Sequence, residues 1–334
     1  MNTANVCQYK LTGMNIELTT KCQLRCPQCY CTLEGGRDIQ LDTAVKYLRE
    51  ARQLGLKLVN LSGGETLCYP YLYELVEEAR GLDVEANIAI SGVGFDESVL
   101  EKLKAVGVSS ISVSLNAPTE ETNRLTRAGF DYSIAALELL KERKFCTTHI
   151  NWVMHSNCAD SLPQMIELAE KYDIDSIDII APKPTSRNEA DTIPTREQME
   201  ITADIVHRAR PSVLQIESCF SPLLALVCDT KLFGNLNVGP YKGCGAGRNT
   251  MSINVDGLFS PCRHLEYYEK WDSLIDYWNK SELISKIRTL DEKREEPCAS
   301  CYFSNYCRHC LATNAALNGR LYIGFAQCPI ASPA

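Results

Sequence analysis

The sequence contains no apolar run of about 18 residues, the length that a membrane-spanning helix requires. The opening segment MNTANVCQYKLTG lacks the apolar core of a secretion signal, so we expect a cytoplasmic protein with no membrane partner. Positive charge is also scarce, because 34 lysines and arginines stand against 42 aspartates and glutamates. The net charge of −8 argues against a nucleic acid partner, since such proteins neutralise phosphates with Lys and Arg.

Cysteine, in contrast, is abundant, with 17 in 334 residues. The number is odd, and a cytosolic compartment keeps thiols reduced, so a disulfide framework is not expected. In such a protein cysteine is more often a metal ligand or a catalytic group. The distribution supports this interpretation, because four cysteines lie within residues 22–31 and five within residues 298–328.

The first two thirds of the chain alternate short apolar runs with amphipathic stretches of helical length. This alternation predicts parallel strands joined by crossover helices. The predicted strands are Met14–Thr19, Leu58–Ser62, Ala86–Ser91, Ser109–Leu115, Thr147–Met154 and Ile174–Ile180. The predicted helices are Asp42–Leu54, Tyr71–Arg80, Glu97–Val106, Tyr132–Arg143, Leu162–Tyr172 and Arg196–Arg210. Six such units predict an α/β fold, a partial (β/α)6 barrel whose functional residues gather at the C-terminal strand ends.

The pattern changes after about residue 231. Met251–Pro261 predicts a hairpin with Asp256 and Gly257 as a two-residue turn. Leu274–Leu290 predicts one helix, and the charged residues 291–296 predict a solvated linker. We therefore divide the chain into an N-terminal extension (1–13), a barrel domain (14–230) and a small cysteine-rich domain (231–334).

The first cysteine group follows the first predicted strand. The segment IELTTKCQLRCPQCYC places Cys22, Cys26 and Cys29 in a C-x3-C-x2-C spacing. Three thiolates on one loop can bind three irons of a 4Fe–4S cluster and leave the fourth iron open, as catalytic metal sites keep an open position. The alternatives are a zinc site with Cys31 as the fourth ligand, or buried cysteines without metal. The position of the motif in a barrel-like pattern favours the cluster.

This motif resembles that of the radical S-adenosylmethionine (SAM) superfamily, in which the open iron is chelated by the cofactor's amino and carboxylate groups. The resemblance implies that Tyr30 lies beside the adenine. A second segment, LVNLSGGET, is similar to the family's Gly-Gly-Glu motif, which holds the cofactor's ammonium group. Its residues are Ser62, Gly63, Gly64 and Glu65. Glycine has no Cβ, which lets the backbone approach a ligand closely.

Polar residues at the ends of strands four and five complete this resemblance. They stand where the family binds the ribose and the carboxylate of its cofactor, and they are Ser114, Asn116, Arg127 and Asn151. For each of them an ordinary turn or helix-cap role is the alternative.

The C-terminal cysteines resemble the SPASM extension of this superfamily, which carries two auxiliary 4Fe–4S clusters. The resemblance implies an outer group of ligands, Cys298, Cys301, Cys307 and Cys328. It also implies an inner group, Cys244, Cys262 and Cys310. Two residues separate Cys307 from Cys310, where the family usually has three. A zinc ribbon is the alternative, because the C-x2-C-x5-C-x2-C spacing also suits tetrahedral zinc.

The inner group lacks a fourth cysteine in its usual place, since GAGRNT follows Cys244. Either one iron stays open or a ligand comes from elsewhere, and Cys228 is near in sequence. The complete set of cofactors is thus three 4Fe–4S clusters and SAM. A seventh apolar run, Val213–Ile216, leads into Cys219. We consider Cys219 as a hydrogen donor to a substrate radical, with simple packing as the alternative.

The resemblance implies an oxidoreductase-type enzyme that generates a 5′-deoxyadenosyl radical and modifies a ribosomal peptide by thioether or carbon–carbon crosslinking or by epimerisation. A dehydrogenase or decarboxylase of a small biosynthetic intermediate is the second hypothesis, and an electron-transfer or cluster-carrier protein is the third. We expect an electron donor such as flavodoxin or ferredoxin. Only 13 residues precede the first strand, so leader recognition would need another surface or a separate protein.

Overall fold

The computed structural model describes residues 9–185, 187–208, 213–227, 243–325, 328 and 330, without the side chains of residues 187 and 188. Cys228, considered above as a ligand of the inner group, lies outside these ranges, as does Cys7. None of the described helices is both long and apolar enough to cross a bilayer.

The described residues form one nine-stranded sheet. Its strands are β1 (Gly13–Glu17), β2 (Leu58–Ser62), β3 (Glu85–Ile90), β4 (Ser110–Ser114), β5 (Thr147–Val153), β6 (Ser176–Ile180), β7 (Leu214–Ile216), β8 (Thr250–Ile253) and β9 (Phe259–Ser260). The strand order is β7-β6-β5-β4-β3-β2-β1-β8-β9, and every neighbouring pair except β8–β9 is parallel. The prediction of an α/β partial barrel is confirmed.

Helices follow the strands as crossover connections and continue through the C-terminal region. They are α1 (Leu41–Gln53), α2 (Leu72–Gly81), α3 (Glu97–Val106), α4 (Glu120–Asn123), α5 (Phe130–Glu142), α6 (Leu162–Lys171), α7 (Arg196–Arg208), α8 (Ser221–Val227), α9 (Leu274–Lys280), α10 (Glu282–Thr289) and α11 (Leu311–Asn318). Short 3-10 segments occupy Thr66–Cys68, Ala159–Ser161, Arg187–Thr192 and Leu290–Glu292.

The two faces of the sheet differ in polarity. Alternate residues of β1, such as Met14 and Ile16, are fully buried in the core that the helices cover. On the other face Asn60 and Asn87 stand in register, and the Asn87 side-chain amide donates to the Asn60 side-chain oxygen at 3.0 Å. Many parallel sheets are apolar on both faces. Here the polar face turns towards the barrel interior and leads to the site described below.

The predicted hairpin is present as β8 and β9, but its turn differs. Asn254 and Leu258 pair through their backbones at 3.0 Å, so the loop between them has three residues rather than two. Gly257 closes it in the left-handed conformation (φ +72°), as three-residue hairpin loops require. β8 also pairs in parallel with β1, so the cysteine-rich region extends the barrel sheet.

The predicted helix over residues 274–290 is two helices, α9 and α10, because the backbone of Ser281 is extended (φ −61°, ψ 128°). The Ser281 hydroxyl accepts a hydrogen bond from the Ile284 amide at 3.1 Å, which caps α10. Serine competes with the helical backbone in this way and favours caps over helix interiors.

Replacing Ser281 with Ala removes this cap, so we expect the free energy of unfolding to fall by about 1 kcal/mol. Ser285→Ala is the matched control, because Ser285 is an exposed position inside α10 where alanine is neutral or slightly favourable. Anaerobic urea denaturation followed by circular dichroism measures both variants. Equal stability of the two would contradict the capping role.

The charged segment 291–296 is not the plain solvated linker that we expected. Asp291 forms ion pairs with Arg248, Arg294 and the fully buried Arg308. A buried guanidinium requires a partner, and Asp291 supplies one. Sequence patterning registers the run of charges but not the arginines that the fold brings to it.

Candidate functional site

A cavity of about 460 Å³ lies at the C-terminal ends of the parallel strands. The predicted site residues on its wall are Cys22, Cys26, Cys29, Tyr30, Ser62, Gly63, Gly64, Glu65, Ser114, Arg127 and Asn151. The end of β4 meets the end of β5 there, with Ser114 in register with Asn151. Parallel strands place their carboxyl ends on one side, which explains why segments distant in sequence converge.

The loop that carries Cys22, Cys26 and Cys29, here called the loop group, is held on one side by the turn after β2. The Gly64 amide donates to the Thr19 carbonyl and the Glu65 amide to the Lys21 carbonyl, both at 2.7 Å. A Cβ at Gly64 would lie 2.2 Å from the Lys21 carbonyl oxygen. The contact between the two backbones therefore requires a glycine at this position, and close approach of a ligand to Gly64 stays a prediction.

On its other side the loop group contacts the segment after α4. The Gln28 amide donates to the Thr126 carbonyl at 3.1 Å, and the Ala128 amide donates to the Cys26 sulfur at 3.4 Å. Backbone N–H groups directed at sulfur are typical of iron–sulfur ligands, whose thiolates accept them. Both anchors together fix the loop at the mouth of the barrel.

Glu65 is the buried acid of the cavity, with 2% of its surface exposed. Its carboxylate accepts hydrogen bonds from the Ser91 amide at 3.0 Å and from the Ser91 hydroxyl. Burial raises the pKa of Glu65, while these hydrogen bonds and the positive charge of Arg127 oppose the rise. A carboxylate in this position can receive a cation such as a ligand ammonium group.

Replacing Glu65 with Gln tests this property. Because the pKa of Glu65 is raised in the folded state, the ionised carboxylate destabilises the fold. Stability is therefore lost as the pH rises from about 4.3, the pKa of Glu in the unfolded chain, through the raised pKa of the folded state. Without SAM we expect the variant to be more stable than the wild type at pH 7, with the difference shrinking towards pH 4. SAM affinity, measured by anaerobic calorimetry, should fall about tenfold or more. Unchanged affinity would contradict an ammonium-binding role.

Five buried polar atoms on the cavity wall have no hydrogen-bond partner among the described residues. They are Gln28 Oε1, Ser62 Oγ, Arg127 Nε, Arg263 Nε and His264 Nδ1. Buried polar atoms without partners are rare in folded proteins, because each one loses its hydration. Acceptors and donors both occur in this set, which fits a ligand such as SAM that carries amino, carboxylate, hydroxyl and purine groups.

Asn116 is the predicted cofactor-binding residue that does not line the cavity. Its side-chain amide donates to Thr126 Oγ1 at 2.9 Å, and its side-chain oxygen accepts from the Val153 amide at 3.1 Å. The residue is fully buried. In the structure Asn116 therefore joins β5 to the segment after α4. This role is structural, as in the alternative to cofactor binding that we considered for this residue.

The outer group of cysteines converges in the C-terminal region. The Phe325 amide donates to the Cys298 sulfur at 3.3 Å, and the His309 amide donates to the Cys307 sulfur at 3.2 Å. Burial raises the pKa of Cys298, and repulsion from the thiolates of Cys328 and Cys301 adds to it. These residues thus have the proximity and the backbone donors that a cluster requires.

The inner group shows the same features. The His264 amide donates to the Cys262 sulfur and the Thr313 amide to the Cys310 sulfur, both at 3.5 Å. Burial raises the pKa of Cys244, and the Cys310 thiolate adds to it. Among the described residues no three Cys, His, Asp or Glu side chains enclose a single metal ion. In a 4Fe–4S cluster each cysteine sulfur binds a different iron, so no single metal ion is enclosed by three of them.

Sequence reasoning missed Arg263 and His264, which directly follow Cys262. The Arg263 guanidinium lies 4.8 Å from the centroid of the Tyr30 ring, and the His264 ring meets Tyr30 edge to face at 4.2 Å. Burial lowers the pKa of His264 well below its usual value, so the ring is neutral at pH 7. Their position directly after Cys262, a predicted cluster ligand, could have indicated them, because residues beside a cluster ligand often lie near the substrate cavity.

Lys183 is a second missed residue on the cavity wall. Its ammonium donates to Glu217 Oε2 at 2.6 Å and to the Ala181 carbonyl at 2.9 Å. Its side chain is 7% exposed, and its charge acts on the sulfurs of Cys219 and Cys310. Lys183 therefore connects the cavity with the inner group.

Cys219 does not line this cavity. It is 8% exposed and belongs to a buried cluster that includes Cys244, Cys298 and Cys310. Its interaction with Cys310, together with burial, raises the pKa of the Cys219 thiol. The proposed hydrogen-donor role thus receives no support from this placement.

Two family models match the chain. The model described as the radical SAM superfamily matches residues 16–169, and the SPASM model, described as an iron–sulfur cluster-binding domain, matches residues 244–302. The first range contains the loop group and the predicted cofactor-binding residues. Cys307, Cys310 and Cys328 lie beyond the second range.

The chain is also similar to individual proteins. It is 29% identical over 310 residues to the PqqA peptide cyclase of Granulibacter bethesdensis, covering 86% of this chain and 79% of that protein. SuiB of Streptococcus suis, solved with S-adenosylmethionine, has a TM-score of 0.76 at 19% identity over 96% of this chain and 77% of its own. The protein anSMEcpe, solved with bound AdoMet and the Cp18Cys peptide, has a TM-score of 0.73 at 18% identity, over 94% of this chain and 93% of its own. At these identities the two structures show the fold.

Proposed function

Because this chain belongs to the radical SAM superfamily and carries a SPASM domain, we propose that it cleaves SAM at the loop group and modifies a peptide by radical chemistry. The main support is geometric. Three cysteines on one loop border a cavity that also holds a buried carboxylate and unpartnered polar atoms. When bound, the 4Fe–4S cluster supplies the electron that splits SAM into methionine and a 5′-deoxyadenosyl radical.

In this proposal the protein's residues orient the cofactor and exclude water. Cys22, Cys26 and Cys29 hold three irons, Glu65 receives the ammonium group, and Arg127 faces the carboxylate. The polar residues Ser114 and Asn151 lie at the strand ends where the ribose would bind. Tyr30 is fixed by Arg263 and His264, so the C-terminal region closes one side of the cavity.

A peptide is the proposed substrate because a peptide cyclase is 29% identical to most of this chain. The experiment below also examines which modification forms: a thioether, a carbon–carbon crosslink or an inverted stereocentre. We further propose that the auxiliary clusters pass electrons to and from the site, that a flavodoxin or ferredoxin supplies them, and that a separate protein can deliver the peptide leader.

The test uses anaerobically reconstituted protein, a chemical reductant, SAM and a candidate peptide translated from a short reading frame beside the gene. We expect 5′-deoxyadenosine by chromatography and, by mass spectrometry, a peptide that has lost two hydrogen atoms if crosslinked. Epimerisation would leave the mass unchanged in water and raise it in deuterated water. Absence of 5′-deoxyadenosine would overturn the proposal. Its formation with an unaltered peptide would favour the small-molecule alternative.

A further inference from the structure

The inner group has three cysteines and an unexplained neighbour. Cys244, Cys262 and Cys310 come from the C-terminal region, and GAGRNT, which follows Cys244, contains no cysteine. A 4Fe–4S cluster has four irons, so this group alone leaves one of them without a protein ligand. A buried cysteine from the barrel, Cys219, belongs to the same buried cluster as Cys244 and Cys310.

The end of β7 brings Cys219 to this position. The Glu217 amide donates to the Ile179 carbonyl of β6 at 3.0 Å, and the Phe220 amide donates to the Glu217 carbonyl at 2.8 Å. Cys219 lies in this tight turn, does not line the cavity and belongs to the buried cluster that contains Cys244 and Cys310. Cys310 occupies the cap position before α11. Cys219 and Cys310 thus meet in one buried cluster.

The other cysteines of the described residues have different surroundings. Cys31 donates to the Gly63 carbonyl at 3.1 Å beside the loop group, and Cys68 pairs with the Gln23 side chain. Cys158 donates to the Val153 carbonyl at 3.4 Å, and Cys146 packs against the barrel core. Within the described ranges, Cys219 is thus the additional thiol that reaches the inner group.

We propose that the Cys219 sulfur is the fourth protein ligand of the inner auxiliary cluster, beside Cys244, Cys262 and Cys310. This inference rests on the proposed function, in which the inner group binds a cluster. On binding, the thiol releases its proton to solvent, and the sulfur–iron bond replaces a solvent ligand at that iron. A cluster closed in this way has no free iron for a substrate thiolate, so its role is electron transfer.

The experiment isolates the auxiliary clusters in the full-length chain by replacing Cys22, Cys26 and Cys29 with Ala. This background is expected to bind about eight irons per chain after anaerobic reconstitution. Adding Cys310→Ala should remove up to about four irons, and adding Cys158→Ala, a buried thiol outside the group, should remove none. Adding Cys219→Ala should either remove the inner cluster or convert it to a three-iron form that is visible by EPR spectroscopy.

Cys219→Ser guards against a folding defect, because serine keeps the size of the side chain and is a weaker iron ligand. We expect it to retain the inner cluster with an altered EPR spectrum in the reduced state. The inference would be overturned if both Cys219 variants had the same iron content and EPR spectra as the background protein while Cys310→Ala lost iron. In that case the proposal that the inner group binds a cluster would still stand. If Cys310→Ala also changed nothing, the inner cluster of the proposed function would itself be refuted.

Discussion

Replacing Cys26 with Ala is expected to lower reductive SAM cleavage at least about a hundredfold. Loss of an outer-shell partner of a metal ligand already costs 10- to 100-fold in affinity or activity, and loss of a ligand itself should cost more. Cys26 is central in the loop group and accepts a hydrogen bond from the Ala128 amide. The measurement is 5′-deoxyadenosine formed per hour by the anaerobically reconstituted, chemically reduced variant.

The control is Cys68→Ala, a half-buried thiol that contacts Gln23 of the same loop. It should retain at least about half of the wild-type rate, because it removes a weak side-chain hydrogen bond and no proposed iron ligand. The Cys26 variant should also keep roughly two thirds of its iron, since the outer and inner groups are intact. Near-normal cleavage in the Cys26 variant would exclude the loop group as the site of SAM cleavage.

Replacing Gly64 with Ala should damage both the fold and the site. The new Cβ would lie 2.2 Å from the Lys21 carbonyl oxygen and 2.7 Å from its carbon. Backbone atoms cannot move aside without displacing the cysteine loop, so we expect the free energy of unfolding to fall by about 3 kcal/mol. SAM cleavage should be lost with it, because the loop that follows Lys21 carries the loop group. Anaerobic urea denaturation and the 5′-deoxyadenosine assay measure the two effects.

Gly81→Ala is the matched control, because no atom lies within 4 Å of the Cβ position there. Gly81 ends α2, where alanine should be neutral or stabilise by up to about 1 kcal/mol. If Gly64→Ala and Gly81→Ala had equal stability and activity, the contact between the β2 turn and the loop group would not matter for either property.

Much of the fold followed from periodicity, because the barrel strands and helices carry strong local patterns. The errors arose where one residue or one distant contact decided the outcome. Ser281 divides a helical pattern in two through a single side-chain hydrogen bond. Asp291 belongs to a charged run that looks solvated until the fold brings Arg248 and Arg308 to it. Neither Arg248 nor Arg308 can be recognised as a partner of Asp291 from a local window of sequence.

The candidate site was predictable to the extent that cysteine spacing and glycine motifs define it. Ser114 and Asn116 are both polar residues at the end of the fourth strand, so the sequence does not distinguish them. Only Ser114 lines the cavity, because the Asn116 side chain joins β5 to the segment after α4. Arg263 and Lys183 come to the cavity from segments that sequence reasoning did not connect with it. The environment of Cys219 depends on the packing of β7 against the C-terminal region, which strand prediction alone does not describe.

The parallel pairing of β8 with β1 has a mechanical consequence. Gly13 and Thr250 lie side by side in one hydrogen-bonded ladder, so the cysteine-rich region cannot swing away from the barrel without breaking it. Removing the cysteine-rich region would also leave the edge of β1 bare, and an unpaired strand edge invites association with other chains. The two halves thus form one mechanical unit.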